Sequence, residues 1–141
     1  MKTKEIIRLA RDIRKNWQTN DPYVIAKKLG IIVMDGASNV KNFKAHTIKS
    51  ENYPTFISIN SAYTDLSKKV LCAHELGHAI LHEDNVNYFA ITAENVAKNV
   101  EFEANIFALA LLVGDEQLNM PIDKLSPYMV KSILDFNIKL K

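Results

Sequence analysis

Among 141 residues there is one cysteine, Cys72. A lone cysteine closes no internal disulfide, so no disulfide framework holds this fold, and a reducing compartment suits it. Cys72 sits in an apolar helical stretch two residues before a histidine. There a packed core thiol is expected rather than a nucleophile or a ligand. Apolar runs approaching the ~20 residues of a membrane span are also lacking. The segment from Met1 to Trp17 mixes charges with apolar side chains and has no apolar stretch of about 7–15 residues, the core of a secretory signal. A cytoplasmic chain with no membrane partner is expected. Nor is there a surplus of one charge: 18 Lys and Arg face 16 Asp and Glu, a net +2. That balance gives nucleic acid no electrostatic footprint. The densest basic group, Arg8, Arg11, Arg14 and Lys15, reads as the solvated face of one helix. With four glycines and four prolines there is no linker, and no repeat is visible. A hydrophobic share of 48% against 24% charged is ordinary globular composition, so residues 1–141 read as one domain.

What is present is mostly helical. Ile6, Ile7, Ala10 and Ile13 recur at helical spacing over 3–17. Asp21-Pro22 supplies an N-cap and a first-position proline, and Gly30 a stop, for a short second helix. The pair invites a helix-turn-helix reading, but no basic recognition face accompanies it. A short strand follows at 31–34. Residues 42–48 and 55–59 flank a turn-rich junction ending in Tyr53-Pro54 and read as a hairpin. Long helices are expected over 65–81 and 92–113, the latter ended by Gly114, and a last one begins at Ser126-Pro127. Helices, a small mixed or antiparallel sheet, then helices again make an α+β fold rather than an alternating βαβ one.

Chemistry concentrates at His74-Glu75-Leu76-Gly77-His78. Histidines four apart on a helix point from one face, the spacing at which two imidazoles reach one zinc. Leu71, Ala73, Leu76, Ala79, Ile80 and Leu81 make this helix nearly all apolar, so its polar side chains need partners, and a metal supplies them. Glu75 is rotated off the ligand pair and suits the metal's water as general base. Gly77 costs about 1 kcal/mol against alanine in a helix, which implies close approach of a strand or a substrate backbone.

A catalytic zinc wants a third protein ligand and an open position. Asp84, six past His78, would need a sharp turn at Leu81 and is rejected. His82 lies roughly 80° around the helix from His74 and suits the cleft or a supporting hydrogen bond better. A carboxylate from the next helix remains, either Glu101 or Glu103. Glu101 shares its face with the small side chains of Ala104, Asn105 and Ala108, which permit close helix packing and favour it. Glu103 lies by bulkier Ile106 and Phe107. Asn105 could orient a ligand imidazole.

These motifs resemble the ImmA/IrrE metallo-endopeptidases. Ala73 to His82 followed by Glu101-x-x-Ala104-Asn105-x-Phe107-Ala108-x-x-Leu111-Leu112 carries the similarity, with Ile25-Ala26-x-x-Leu29-Gly30-Ile31 and Phe56 to Asn60 fitting upstream. The resemblance implies a zincin-like fold, zinc held by His74, His78 and Glu101, and Glu75 as general base. It implies a protein substrate, a helix-turn-helix repressor of a mobile element, phage or stress regulon. The family often continues Leu-Leu-Met-Pro where this chain has Leu111-Leu112-Val113-Gly114, a departure that bears on substrate recognition. The strand ending at Asn60 is expected to pair with extended substrate by edge addition, with His82, Tyr88 and His46 as candidates for oxyanion support. The rival reading is a non-catalytic anti-repressor or adaptor stapled by zinc, its shell closed by His82 or Glu103.

Overall fold

A computed structural model of the protein describes residues 1–36, 43–82 and 93–141, with the side chains of all but 93–98. The described residues form six α-helices and one three-stranded mixed sheet, the α+β class expected. Helix α1 (Thr3–Trp17) turns Ile6 and Ala10 inward and packs chiefly on α4, whereas α2 (Pro22–Lys28) packs on α3. Each helix of the N-terminal pair thus packs chiefly on a long helix of the protein body rather than on the other. Arg11 departs from the solvated-face expectation. Its guanidinium donates to the Val113 carbonyl and pairs with Asp115 at 3.1 Å, tying α1 to the end of α4. That guanidinium holds the Asp115 carboxyl below its usual range.

The caps read from sequence are present. The Asp21 carboxylate accepts from Tyr23 N–H at 3.0 Å with Pro22 in the first turn. Gly30 takes φ 77°, a left-handed turn that a side chain would strain. Strand β1 (Ile32–Gly36) leads by residues 37–42, which lie outside those described, to β2 (Ala45–Ile48) and β3 (Phe56–Asn60). The expected hairpin exists, for β2 pairs antiparallel with β3. The strand order is β1-β3-β2, with β1 parallel to β3. One expectation falls here. The strand ending at Asn60 is paired on both sides and offers no edge, because β3 lies between β1 and β2. The edge nearest the histidine helix is β2.

Helix α3 (Asp65–Leu81) is capped by Thr64, whose hydroxyl accepts from Ser67 N–H at 3.2 Å. Helix α4 (Ala93–Leu112) packs along it, its 106–111 stretch wholly buried. The expected start at Thr92 lies outside the described residues. Helix α4 ends at Leu112, one residue short of the expected Val113, and Gly114 begins a short helix not foreseen, α5 (Asp115–Leu118), followed by a 3-10 turn Ile122–Lys124. Helix α6 (Pro127–Phe136) starts as read, with Ser126 Oγ accepting from Met129 N–H. The buried Ser67 hydroxyl lies 2.9 and 3.1 Å from the carbonyl oxygens of Asn137 and Lys139 and accepts the Lys139 N–H. The end of the chain is thereby fastened to the start of α3, with Tyr63 and Leu140 forming a β-bridge. No helix among the described residues is long and apolar enough to cross a membrane.

Candidate metal centre

The site begins with a helix contact. A Cβ added at Gly77 would stand 3.1 Å from Ala104 Cα and 3.2 Å from both the Ala104 carbonyl oxygen and Phe107 Cβ. The missing side chain on α3 and the small one at Ala104 let the two helices touch nearly backbone to backbone. The close approach expected at Gly77 is real, but the neighbour is α4 rather than a strand or a substrate. Three residues before Ala104, Glu101 is carried over the face of α3 that bears His74 and His78.

There the side chains converge. His74 Nε2 and His78 Nε2 lie 3.1 Å apart, and the Glu101 carboxylate reaches both, Oε2 to His74 and Oε1 to His78, each at 3.0 Å. Their ligand atoms form a group able to hold a metal ion. A tetrahedral ion with bonds of about 2.0–2.1 Å sets its donors roughly 3.3 Å apart, close to what these residues already show. Two imidazoles and a carboxylate are also a known catalytic zinc set, so the residues fit the ion.

The electrostatics agree. Burial opposes a charge on His74, but the hydrogen bond to Glu101 and the Glu75 and Glu101 charges outweigh it and raise its pKa, with Asn105 acting in the same direction. The Glu101 carboxyl is held far below the carboxylate range, first by its hydrogen bonds from His74 and His78. Burial pushes the Cys72 thiol well up, as befits a packed core group.

Glu75 stays outside the converging three. It is 7% exposed, and its Oε2 stands 3.8 Å from His74 Nε2. Its Oε1 accepts from the Thr47 hydroxyl at 2.9 Å, and the same hydroxyl lies 3.1 Å from the Glu75 backbone carbonyl. Thr47 was not singled out from sequence. The one signal for it is strand alternation, which turns Ala45 and Thr47 towards α3 and His46 and Ile48 away. His46 is therefore on the outer face, exposed and packed on Phe43, and is no oxyanion candidate. His82 is withdrawn as well, at 3% exposed, its Nδ1 3.2 Å from His78 Nδ1 and its Nε2 3.1 Å from Glu103 Oε1. Burial lowers its pKa although Glu103 works the other way. Tyr88 and Asp84 lie outside the described residues.

Of the two competing glutamates, the structure brings Glu101 to the histidine pair and Glu103 to His82. A cavity of about 760 Å³ opens on the group, with Ala45 on one side, Phe102 and Asn105 on α4, and Tyr128, Lys131 and Leu134 of α6 as the far wall.

Residues 26–128 match the sequence profile of the IrrE N-terminal-like domain. The chain is 31% identical over 102 residues to the uncharacterized immunity region protein 2 of Bacillus phage phi105, an alignment covering 72% of this chain and 63% of that protein. The alignment spans less than two thirds of that curated relative. No solved structure matches the chain.

Proposed function

The chain belongs to the peptidase family of the IrrE N-terminal-like domain, and from that premise we propose that it is a zinc-dependent endopeptidase. The carrying observation is the meeting of His74 and His78 with Glu101 from a second helix, while Glu75 stands beside the group and out of it. His74, His78 and Glu101 would hold the zinc. When bound, zinc supplies an acidified water, of pKa about 7, and a Lewis acid for the scissile carbonyl.

The other tasks fall to the chain. Glu75 takes the proton of the attacking water and passes it to the departing amine. Thr47 donates to Oε1 and fixes the carboxylate with Oε2 on the His74 side. The edge of β2, which carries Thr47 and is unpaired among the described residues, can pair with the main chain of an extended substrate and draw it across the cleft. This replaces the edge first expected at Asn60.

A three-donor group opening on a large cleft favours catalysis over a zinc-stapled adaptor. The two side chains that could close a fourth position, His82 and Glu103, are turned to each other instead. The relative's place in a phage immunity region favours a transcriptional repressor of the helix-turn-helix kind as the substrate.

The test is incubation of the purified chain and zinc with the product of any helix-turn-helix reading frame that neighbours its own. The parent protein is expected to give two fragments, and Glu75→Gln to retain zinc while losing about 10²–10⁴-fold in rate. Cleavage at the parent rate by Glu75→Gln would exclude this mechanism.

A further inference from the structure

Beneath the metal centre lies a group that the proposed chemistry does not use. His82 caps the end of α3, its backbone N–H donating to the His78 carbonyl at 3.0 Å. Lys49, just past β2, donates to the His82 carbonyl at 2.6 Å. The ring is buried between His78 and Glu103, with a nitrogen 3.2 Å from the first and 3.1 Å from the second. A histidine so placed, with both nitrogens engaged, can act only through its neighbours.

The hydrogens on this chain can be assigned by elimination, resting on the metal reading above. An ionised carboxylate only accepts, so His82 must donate from Nε2 to Glu103 Oε1. A neutral His82 then has a lone pair on Nδ1, and its contact with His78 Nδ1 is a hydrogen bond only if His78 donates. In the metal-loaded protein His78, carrying its hydrogen on Nδ1, keeps a lone pair on Nε2, the atom that without the ion donates to Glu101.

We propose that His82 and Glu103 are positioning residues for the metal centre, a hydrogen-bond chain that locks His78 in the tautomer offering Nε2 to the ion. A ligating histidine whose far N–H is held by a carboxylate or carbonyl is oriented and made more basic, and loss of such a partner costs about 10–100-fold in metal affinity. Here the carboxylate acts through an intervening imidazole.

The test reads binding and protonation rather than turnover. Zinc affinity is measured by competition with a chromogenic chelator for the parent, His82→Phe and His82→Gln, with circular dichroism confirming that each folds. His82→Phe keeps the ring shape but cannot accept, and is expected to bind zinc about 10–100-fold more weakly. His82→Gln, with an amide that can both accept and donate, is expected to recover part of that loss. Independently, long-range nitrogen–proton NMR on the zinc-loaded parent should place hydrogen on His78 Nδ1 and on His82 Nε2. Hydrogen on His82 Nδ1, or parent-like affinity in a folded His82→Phe, overturns the chain while leaving the zinc site standing. A parent protein that binds no zinc in the chelator assay overturns the metal reading and this inference with it.

Discussion

The hydroxyl of Thr47 and the carboxylate of Glu75 lie 2.9 Å apart and join the edge strand to the histidine helix. The strand that can receive a substrate thereby also holds the side chain assigned to move its protons.

Thr47→Val keeps the shape and removes the donor. A hydrogen bond to a charged group contributes about 1.5–3 kcal/mol, so peptidase kcat/KM is expected to fall roughly 10–100-fold. Zinc content, read by elemental analysis, should not change. Loss of zinc together with activity would mean that Thr47 supports the fold instead.

Glu101→Gln removes the carboxylate while keeping its size. Zinc at a hundred times its Kd stabilises a protein by about 2.7 kcal/mol, and the corresponding rise in Tm should appear in the parent and vanish in Glu101→Gln. An undiminished rise would move the third ligand elsewhere.

Gly77→Ala sets two effects against each other. Alanine improves helix propensity by about 1 kcal/mol, but the new methyl meets the α4 backbone at 3.1 Å, and overpacking of this kind costs about 1–3 kcal/mol. The obstacle is helix backbone and the first carbon of Phe107, not the end of a flexible side chain, so the clash should win. A net loss of up to about 2 kcal/mol in urea unfolding is expected, with weaker zinc binding as α4 is pushed outward and Glu101 with it. A stabilised variant would show that α4 yields freely.

Acid should strip the metal in a predictable window. The metal-free His74 holds its proton more tightly than an ordinary histidine, because Glu101 and Glu75 favour the cation. Zinc must displace that proton, so affinity rises with pH and falls as pH drops through the raised pKa, starting above the usual histidine range near 6.5. Glu101 stays ionised far below that range and adds nothing to the slope. Calorimetry in buffers of different ionisation enthalpy should detect proton release on zinc uptake near neutrality. Affinity independent of pH from 6 to 8 would contradict the assignment.

Much of this was readable in advance where the signal is local. Asp21-Pro22 and Ser126-Pro127 mark helix starts because a cap and a proline act within one turn. The convergence of Glu101 on His74 and His78 was foreshadowed by Ala104, Asn105 and Ala108, since a face of small side chains can only be packed closely. The parallel pairing of Phe56–Asn60 with Ile32–Gly36 was not readable, because alternation reports which faces of a strand are buried and not which neighbours it has. Thr47 escaped for a related reason. Its partner Glu75 is 28 residues away, and nothing within β2 distinguishes its hydroxyl from any other threonine. His82 was read as lining the cleft or making a supporting hydrogen bond, and the choice between them, through its link to Glu103, depends on the rotation of α4 about its own axis.

The anchoring of Asn137 and Lys139 by Ser67 also bears on the order of assembly. The side chains proposed to hold the metal are complete once residues 74 to 101 have been synthesised, whereas the α6 wall is secured by contacts spanning 70 and 72 residues. Long closures come late, both on the ribosome and in refolding. The means of holding an ion therefore arrives before the walls that decide which peptide may enter.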